Sequence, residues 1–407
     1  MNVFSAWYHQ RLACVDLASG QTEAMPLRRD ALEEGVGGVA LGSVLSRRWP
    51  DALILAACPY TGGFAPASGH LAATFPQEDG TAPAVLALGR GAWLRRSGFD
   101  ALVIRGQSAS PCLLRCRGGQ CSLEKLPSSE PGRGRNRLRA ALLRSTADGL
   151  AGLILADREA ASENADAPSA AGAEYGPLPG GSVLGPALQR KKVLALILEG
   201  GNTLPPMPIP AENPLRRAVP AQRGQLEGLR MEIVLAAEKN LPPSPASGAN
   251  DGTGSARVHA LIEFLPSGAR HAACSHCPSP CLAWIPAPGG GHLLAADHDG
   301  LLAALQSFGR ECAAYLSLCD ARGLDPVGSQ PVFAGKSPAG ATASGRQAAR
   351  GLSALTEEMR IGLTLGICPR LIRRVSAPDM GAAAYLGGDM ATRVAQASDL
   401  VPREVYL

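Results

Sequence analysis

The chain has 407 residues, 46% of them hydrophobic and 18% charged, with a formal net charge of +4. That length suits two or three domains able to bury cores without disulfide staples, and the composition excludes a disordered or strongly charged chain. The 48 glycines and 33 prolines follow no three-residue period, which excludes a collagen-like fibre, and with 4% aromatics they imply a turn-rich chain with an Ala, Leu and Val core.

The densest basic run, Arg133, Arg135, Arg137, Arg139 and Arg144, lacks interleaved aromatics, so no nucleic-acid partner is expected. Residues Met1 to Trp7 carry no basic segment followed by an apolar stretch. The longest apolar runs, Ala52–Cys58 and Val193–Leu198, fall far short of the roughly 18 residues a membrane span requires. We therefore expect a cytoplasmic protein with no membrane partner.

In chain order, Arg11–Gly20 alternates and ends in a turn, with Gln21–Leu27 as its hairpin partner. Asp51–Cys58 reads as a buried strand stopped by Pro59. Phe99–Arg105 and Pro111–Arg117 are further strands, Leu138–Arg144 begins a helix, and Leu150–Asp157 and Lys191–Glu199 are strands. This mixed sheet domain ends near Asn202. Pro205–Pro220 reads as a linker, Gln222–Asn240 as a helix, and Leu241–Ser255 as a loop. Asp299–Arg322 is an amphipathic helix with Leu301, Leu302, Leu305, Phe308, Cys312, Tyr315 and Leu316 on one face, and Gly323 offers a left-handed terminating position. Val327–Gly345 is low in complexity, and helices are expected over Gln347–Gly366 and Met380–Gln396. No internal repeat is evident.

Eleven cysteines, an odd number, argue against a complete disulfide framework. Cys274-Ser-His-Cys277-Pro-Ser-Pro-Cys281 places three thiols in one stiffened loop. A [4Fe-4S] cluster uses four thiolates, and Cys368 in Gly366-Ile367-Cys368-Pro369 is the candidate for the fourth. Two other readings stay open: a zinc site drawing on His276, and free thiols. Cys112 and Cys116 share a strand face as buried small hydrophobes, with Cys121 just beyond.

Asp320-Ala-Arg-Gly323-Leu324-Asp325 reads either as a helix end with its turn or as a ligand-facing loop. The glycine-rich turns at Gly35–Gly38, Thr61–Gly63 with Ser68-Gly69, and Pro179–Gly181 lack the spacing of a dinucleotide or Walker A loop.

Together, and in this order, these segments resemble the tungsten- or molybdenum-pterin aldehyde:ferredoxin oxidoreductases. The resemblance rests on Val15–Gly20, Gly37-Gly38, Ala57–Gly62 through Pro66–Gly69, Ser97–Gly106, the three clustered cysteines, Asp320–Asp325 and Gly366–Cys368. It implies an α+β protein: a β-rich N-terminal domain over residues 1–204, then a mainly α-helical part over 205–407 that carries an iron-sulfur cluster. Cys274, Cys277, Cys281 and Cys368 would hold the [4Fe-4S] cluster, while Gly69, His70, Asp320, Gly323, Leu324, Asp325 and Ile367 would lie at a tungsten- or molybdenum-bis-pterin. The implied reaction takes an aldehyde and water to a carboxylic acid and passes electrons through the cluster to ferredoxin or another redox protein. A homo-oligomer or a larger oxidoreductase complex is the implied assembly. No catalytic residue is assigned.

The chain also departs from that pattern. Val39-Ala40 follows Gly37-Gly38 where the family has Arg-Gly, and His70 stands where an Arg meets pterin phosphate. Leu363 replaces an Asp, and Cys368 follows Asp325 by only 43 positions. Each lost charge-assisted hydrogen bond is worth about 1.5–3 kcal/mol, so these departures fit a chain that keeps its cluster cysteines and has weakened or lost the pterin, a paralogue acting as an electron-transfer or structural subunit.

Overall fold

The computed structural model describes residues 7–62, 68–76, 84–88, 90–126, 135–146, 151–156, 172–173, 176–177, 181–201 and 204, then 270–272, 282–286, 293–297, 311–322 and short pieces between 301 and 405. The expectations for the linker, the Gln222–Asn240 helix, the low-complexity stretches, residues 380–392 of the last expected helix and the four cluster cysteines lie outside those residues.

Two six-stranded sheets form the N-terminal part. The first holds β1 (Arg11–Asp16), β2 (Gln21–Pro26), β3 (Leu53–Ala57), β4 (Leu71–Phe75), β5 (Ala84–Leu88) and β6 (Ala101–Arg105). The β1–β2 hairpin pairs Arg11 with Pro26 and Asp16 with Gln21, as its alternation predicts. Its turn is closed by Asp16 Oδ1, which accepts from the Ala18 and Ser19 amides at 3.0 and 3.2 Å. Helix α1 (Arg29–Gly35) and helix α2 (Gly38–Arg48) follow the hairpin, and α2 packs on β3 and β4 through its buried face, which includes Leu41 and Leu45. Helix α3 (Gly91–Arg96) leads into β6.

The second sheet holds β7 (Cys112–Arg117), β8 (Gln120–Lys125), β9 (Ala151–Leu155), β10 (Gly172–Ala173), β11 (Gly176–Pro177) and β12 (Val193–Glu199). Gly118 and Gly119, with φ of 59° and 78°, make the two-residue turn between β7 and β8, a geometry that suits the right-handed strand twist. Helix α4 (Arg135–Ser145) follows that hairpin and helix α5 (Gly181–Arg190) precedes β12.

The two sheets repeat one topology, a duplication that residue identities conceal. The strand order β2-β1-β6-β3-β4-β5 corresponds position by position to β8-β7-β12-β9-β10-β11. In each, a hairpin is followed by helix (two in the first half, one in the second), three strands, another helix and a last strand that pairs parallel to the first: β1 with β6, β7 with β12. An ion pair recurs at the ends of those parallel strands with its signs exchanged. Asp16 meets Arg105 in the first sheet, and Arg117 meets Glu199 in the second, Nε to Oε2 3.5 Å. Strand pairing is shared between the halves, while the signs of this ion pair are not.

The sheets pack face to face. Ala13, Val15, Leu53, Leu55, Leu102 and Ile104 from the first meet Cys112, Leu114, Cys116, Ile154, Leu196 and Leu198 from the second. Burying each large aliphatic side chain contributes about 1.5–3 kcal/mol, so this layer dominates the stability of the base. The opposite face of the second sheet, with Leu113, Leu153, Leu155 and Ile197, is covered by Leu138, Leu142 and Leu143 of α4. Cys112 and Cys116 face the same core, as expected, and Cys116 is joined to Cys121, directly opposite on β8, by a disulfide.

Beyond residue 204 the described residues include a three-stranded antiparallel sheet: β13 (Arg270–Ala272), β14 (Leu282–Pro286) and β15 (Leu293–Asp297). None of these three strands is expected from the sequence: β13 has only three residues, and β14 and β15 are flanked by Pro- and Gly-rich stretches that read as loop. Of the expected helix over Asp299–Arg322, residues Cys312–Arg322 form α6, where Cys312, Tyr315 and Leu316 are buried as the apolar face requires; Leu301 and Leu305, helical and buried, precede it. Within the expected helix Gln347–Gly366, Ser353–Ala354 instead form β16 and pair with β17 (Glu404–Val405); Arg360, Thr364 and Leu365 are helical. No helix among the described residues is long and apolar enough to cross a membrane.

Candidate functional site

The loop leaving β3 gathers the described residues of the first two glycine-rich turns. Apolar β3 ends at Ala57, and Pro59 stops the ladder. The Thr61 hydroxyl then accepts the Cys58 amide at 2.9 Å and donates to the His70 carbonyl at 2.5 Å. The Gly62 amide donates to Ser68 O at 3.1 Å, and the Gly91 amide donates to Gly69 O at 2.9 Å. Gly91 is required by this convergence: a Cβ there would fall 2.4 Å from both the His70 oxygen and Thr61 Cγ2. Gly37 is crowded in the same way, its Cβ position 2.4 Å from the Tyr8 hydroxyl. These close backbone approaches are made to protein.

Arg95 of α3 reaches back beneath the loop. It donates to Thr61 O at 3.0 Å and Pro59 O at 3.4 Å, its Nε lies 3.5 Å from Asp100 Oδ1, and it sits 5.1 Å from the Tyr8 ring centroid. Tyr8 donates its hydroxyl to Val36 O at 2.6 Å. Burial raises the Tyr8 hydroxyl well above its ordinary value and pushes the Cys58 thiol up to about 12, so Cys58 is a neutral thiol with no nucleophilic thiolate. Burial lowers His9. The sequence reading overlooked Arg95, Asp100 and Tyr8. The signal was a pair of opposite charges flanking the strand entry Ser97–Phe99.

The C-terminal segment reaches this loop through Leu365, whose carbonyl accepts the Tyr60 amide at 3.1 Å. Gly366-Ile367-Cys368 follow directly in the chain, outside the described residues. The connection holding Cys274, Cys277 and Cys281 joins β13 to β14, whose pairing of Ala272 with Leu282 brings its two ends together. No group of three metal-ligating side chains occurs among the described residues, a set that excludes the four cluster cysteines.

Of the positions assigned to a pterin, Gly69, His70 and Asp320 are described, and Gly323, Leu324, Asp325 and Ile367 are not. The Asp320 carboxylate is taken by Arg139, Nη1 to Oδ2 and Nη2 to Oδ1 both at 2.7 Å. The Gly69 and His70 carbonyls are taken by Gly91 and Thr61, and His70 is 8% exposed. Val39 and Ala40, where the family pattern has an arginine, are buried in the core. At the described positions, therefore, the Asp320 carboxylate is engaged by protein and no arginine stands at Val39 or His70 to meet a pterin phosphate.

Residues 12–150 match the family model described as aldehyde ferredoxin oxidoreductase, N-terminal domain. Among curated proteins, the chain is 27% identical over 120 residues to the "Aliphatic sulfonate oxidoreductase, WOR-like subunit" of Pyrococcus furiosus, a match covering 26% of this chain and 19% of that protein. Among solved structures, it is similar to a chain of "Active site complex BamBC of Benzoyl Coenzyme A reductase in complex with 1,5 Dienoyl-CoA", with a TM-score of 0.58 at 16% identity over 81% of this chain and 55% of that one. That likeness is one of fold. The duplicated β-rich base and its loop motifs thus begin in a segment, residues 12–150, that is similar to the N-terminal domain of the aldehyde ferredoxin oxidoreductases.

Proposed function

We propose that the chain is an iron-sulfur redox protein, holding a [4Fe-4S] cluster on Cys274, Cys277, Cys281 and Cys368 and passing electrons to ferredoxin or another redox protein in the cytoplasm. The observation that carries this reading is the Tyr60–Leu365 hydrogen bond at 3.1 Å. It ties the chain three residues before Cys368 to the base, while the β13–β14 pairing closes the connection that bears the other three cysteines. Three thiolates from a tight run plus one from a distant residue suit a four-iron cluster, which accepts and releases single electrons.

The family reaction, aldehyde and water to carboxylic acid, needs a metal-pterin centre, and Val39 and His70 stand where the family pattern has arginines. The bidentate engagement of Asp320 favours a second, narrower reading: a non-catalytic electron-transfer or structural subunit of a larger oxidoreductase assembly. The curated relative's name, a "subunit", and the solved neighbour's title, a "complex", support that setting. The test is anaerobic purification of the protein and its Cys368→Ser variant. The unsubstituted protein should show the EPR signal of a reduced four-iron cluster, and the variant should lose most of it. An unaffected signal in the variant would assign the fourth ligand elsewhere.

A further inference from the structure

We infer that Arg139 and Asp320 form a buried latch fastening α6 onto the second half of the duplicated base, and that this latch occupies the carboxylate a pterin would need. The two groups are 181 positions apart, yet meet in a fork-to-fork pair with both bonds at 2.7 Å and side-chain exposures of 6% and 0%. A guanidinium forked onto both carboxylate oxygens takes one acceptor site on each and neutralises the charge a ligand's donors would otherwise meet. α6 lies against α4, β11 and β15, so the latch sits where the C-terminal part rests on the second sheet.

The duplication gives an independent argument. α2 and α4 are equivalent helices of 11 residues each, and aligned end to end they place Leu41 with Leu138 and Leu45 with Leu142. The counterpart of Arg139 is then Gly42, which is packed so closely on Thr74 of β4 that a Cβ would lie 2.3 Å from its hydroxyl. One half buries a glycine against its own sheet, and the other sends an arginine to a helix from the distant half of the chain. Arg139 is thus a specific feature of the second half, with Asp320 as its counter-charge.

Separating a buried, hydrogen-bonded pair leaves an uncompensated charge. Asp320→Asn should therefore lower the thermal midpoint by about 5 °C or more, and Arg139→Lys, which keeps the charge but loses the fork, by a smaller amount. Exchanging the pair, Arg139→Asp with Asp320→Arg, should recover part of the loss. Pterin released by oxidative denaturation should be absent from the unsubstituted protein made in a host that synthesises it. An unmoved midpoint in Asp320→Asn, or stoichiometric pterin in the unsubstituted protein, overturns the inference. Should Asp320→Asn fail to fold, Arg139→Lys and the pterin assay decide. The inference deepens the reading of a chain that works without the pterin; the cluster reading is tested separately, by iron.

Discussion

Arg95 and Asp100 lie against each other in the core, Nε 3.5 Å from Oδ1, with neither side chain reaching solvent. The same guanidinium holds the Pro59 and Thr61 carbonyls, so one buried pair fixes the loop on which the C-terminal segment docks. Asp100 also accepts the Arg11 amide at 3.2 Å, which ties β1 to the same network.

Removing one member strands the other. Arg95→Met is expected to destabilise the fold by about 3–5 kcal/mol, read from urea denaturation. Asp100→Asn should be comparable. A loss below about 1 kcal/mol would mean that water or another cation replaces the arginine.

Gly91 and Gly20 separate crowding from backbone strain. Gly91→Ala drives a methyl to 2.4 Å from the His70 carbonyl, whereas Gly20, at φ +75°, has nothing within 4 Å of a Cβ position. Gly20→Ala should cost about 1–2 kcal/mol from the left-handed backbone alone. Gly91→Ala should exceed that and also weaken protection of the Gly91 and Gly62 amides in hydrogen exchange.

The Cys116–Cys121 disulfide closes a loop of few residues, so its expected contribution is about 2 kcal/mol. Alkylation and mass spectrometry of the unfolded protein should find two more modified cysteines after reduction than before. Cys116→Ala with Cys121→Ala should remove that difference and leave the β7–β8 pairing intact.

Stability should fall on both sides of neutrality for identifiable reasons. Burial raises the folded-state value of Cys58 to about 12 from an ordinary 9.0, so the unfolded chain loses its proton first. Stability is then full below about pH 9 and is lost as pH climbs towards 12. Burial lowers His9, so the unfolded chain takes up a proton first as pH drops below about 6.5, and stability declines there. Urea midpoints across pH should show Cys58→Ala with a flatter alkaline limb and His9→Gln with a flatter acid limb. Limbs identical to those of the unsubstituted protein would assign them to other groups.

The hairpin at Arg11–Pro26 and the buried strands β3, β6, β7, β9 and β12 were legible in the sequence because their alternation or unbroken apolar runs record which faces are buried. Strands β4 and β5 were not: the Leu71–Phe75 run is broken by Thr74, so neither alternation nor an unbroken apolar run marks it. The duplication was hidden because what the halves share is hydrogen-bond pairing, while equivalent positions such as Asp16 and Arg117 carry opposite charges. The pairing of Asp320 with Arg139 was not legible, because D-x-x-G-L-D shows only neighbours in the chain and Arg139 lies 181 positions away.

On the proposed reading the chain keeps a cluster and works without the metal-pterin centre. The most direct test is elemental analysis of the anaerobically purified protein, made in a host supplied with tungsten and molybdenum. The predicted result is about four iron atoms per chain and neither heavier metal. Tungsten or molybdenum in stoichiometric amount, or protein without iron, would contradict it.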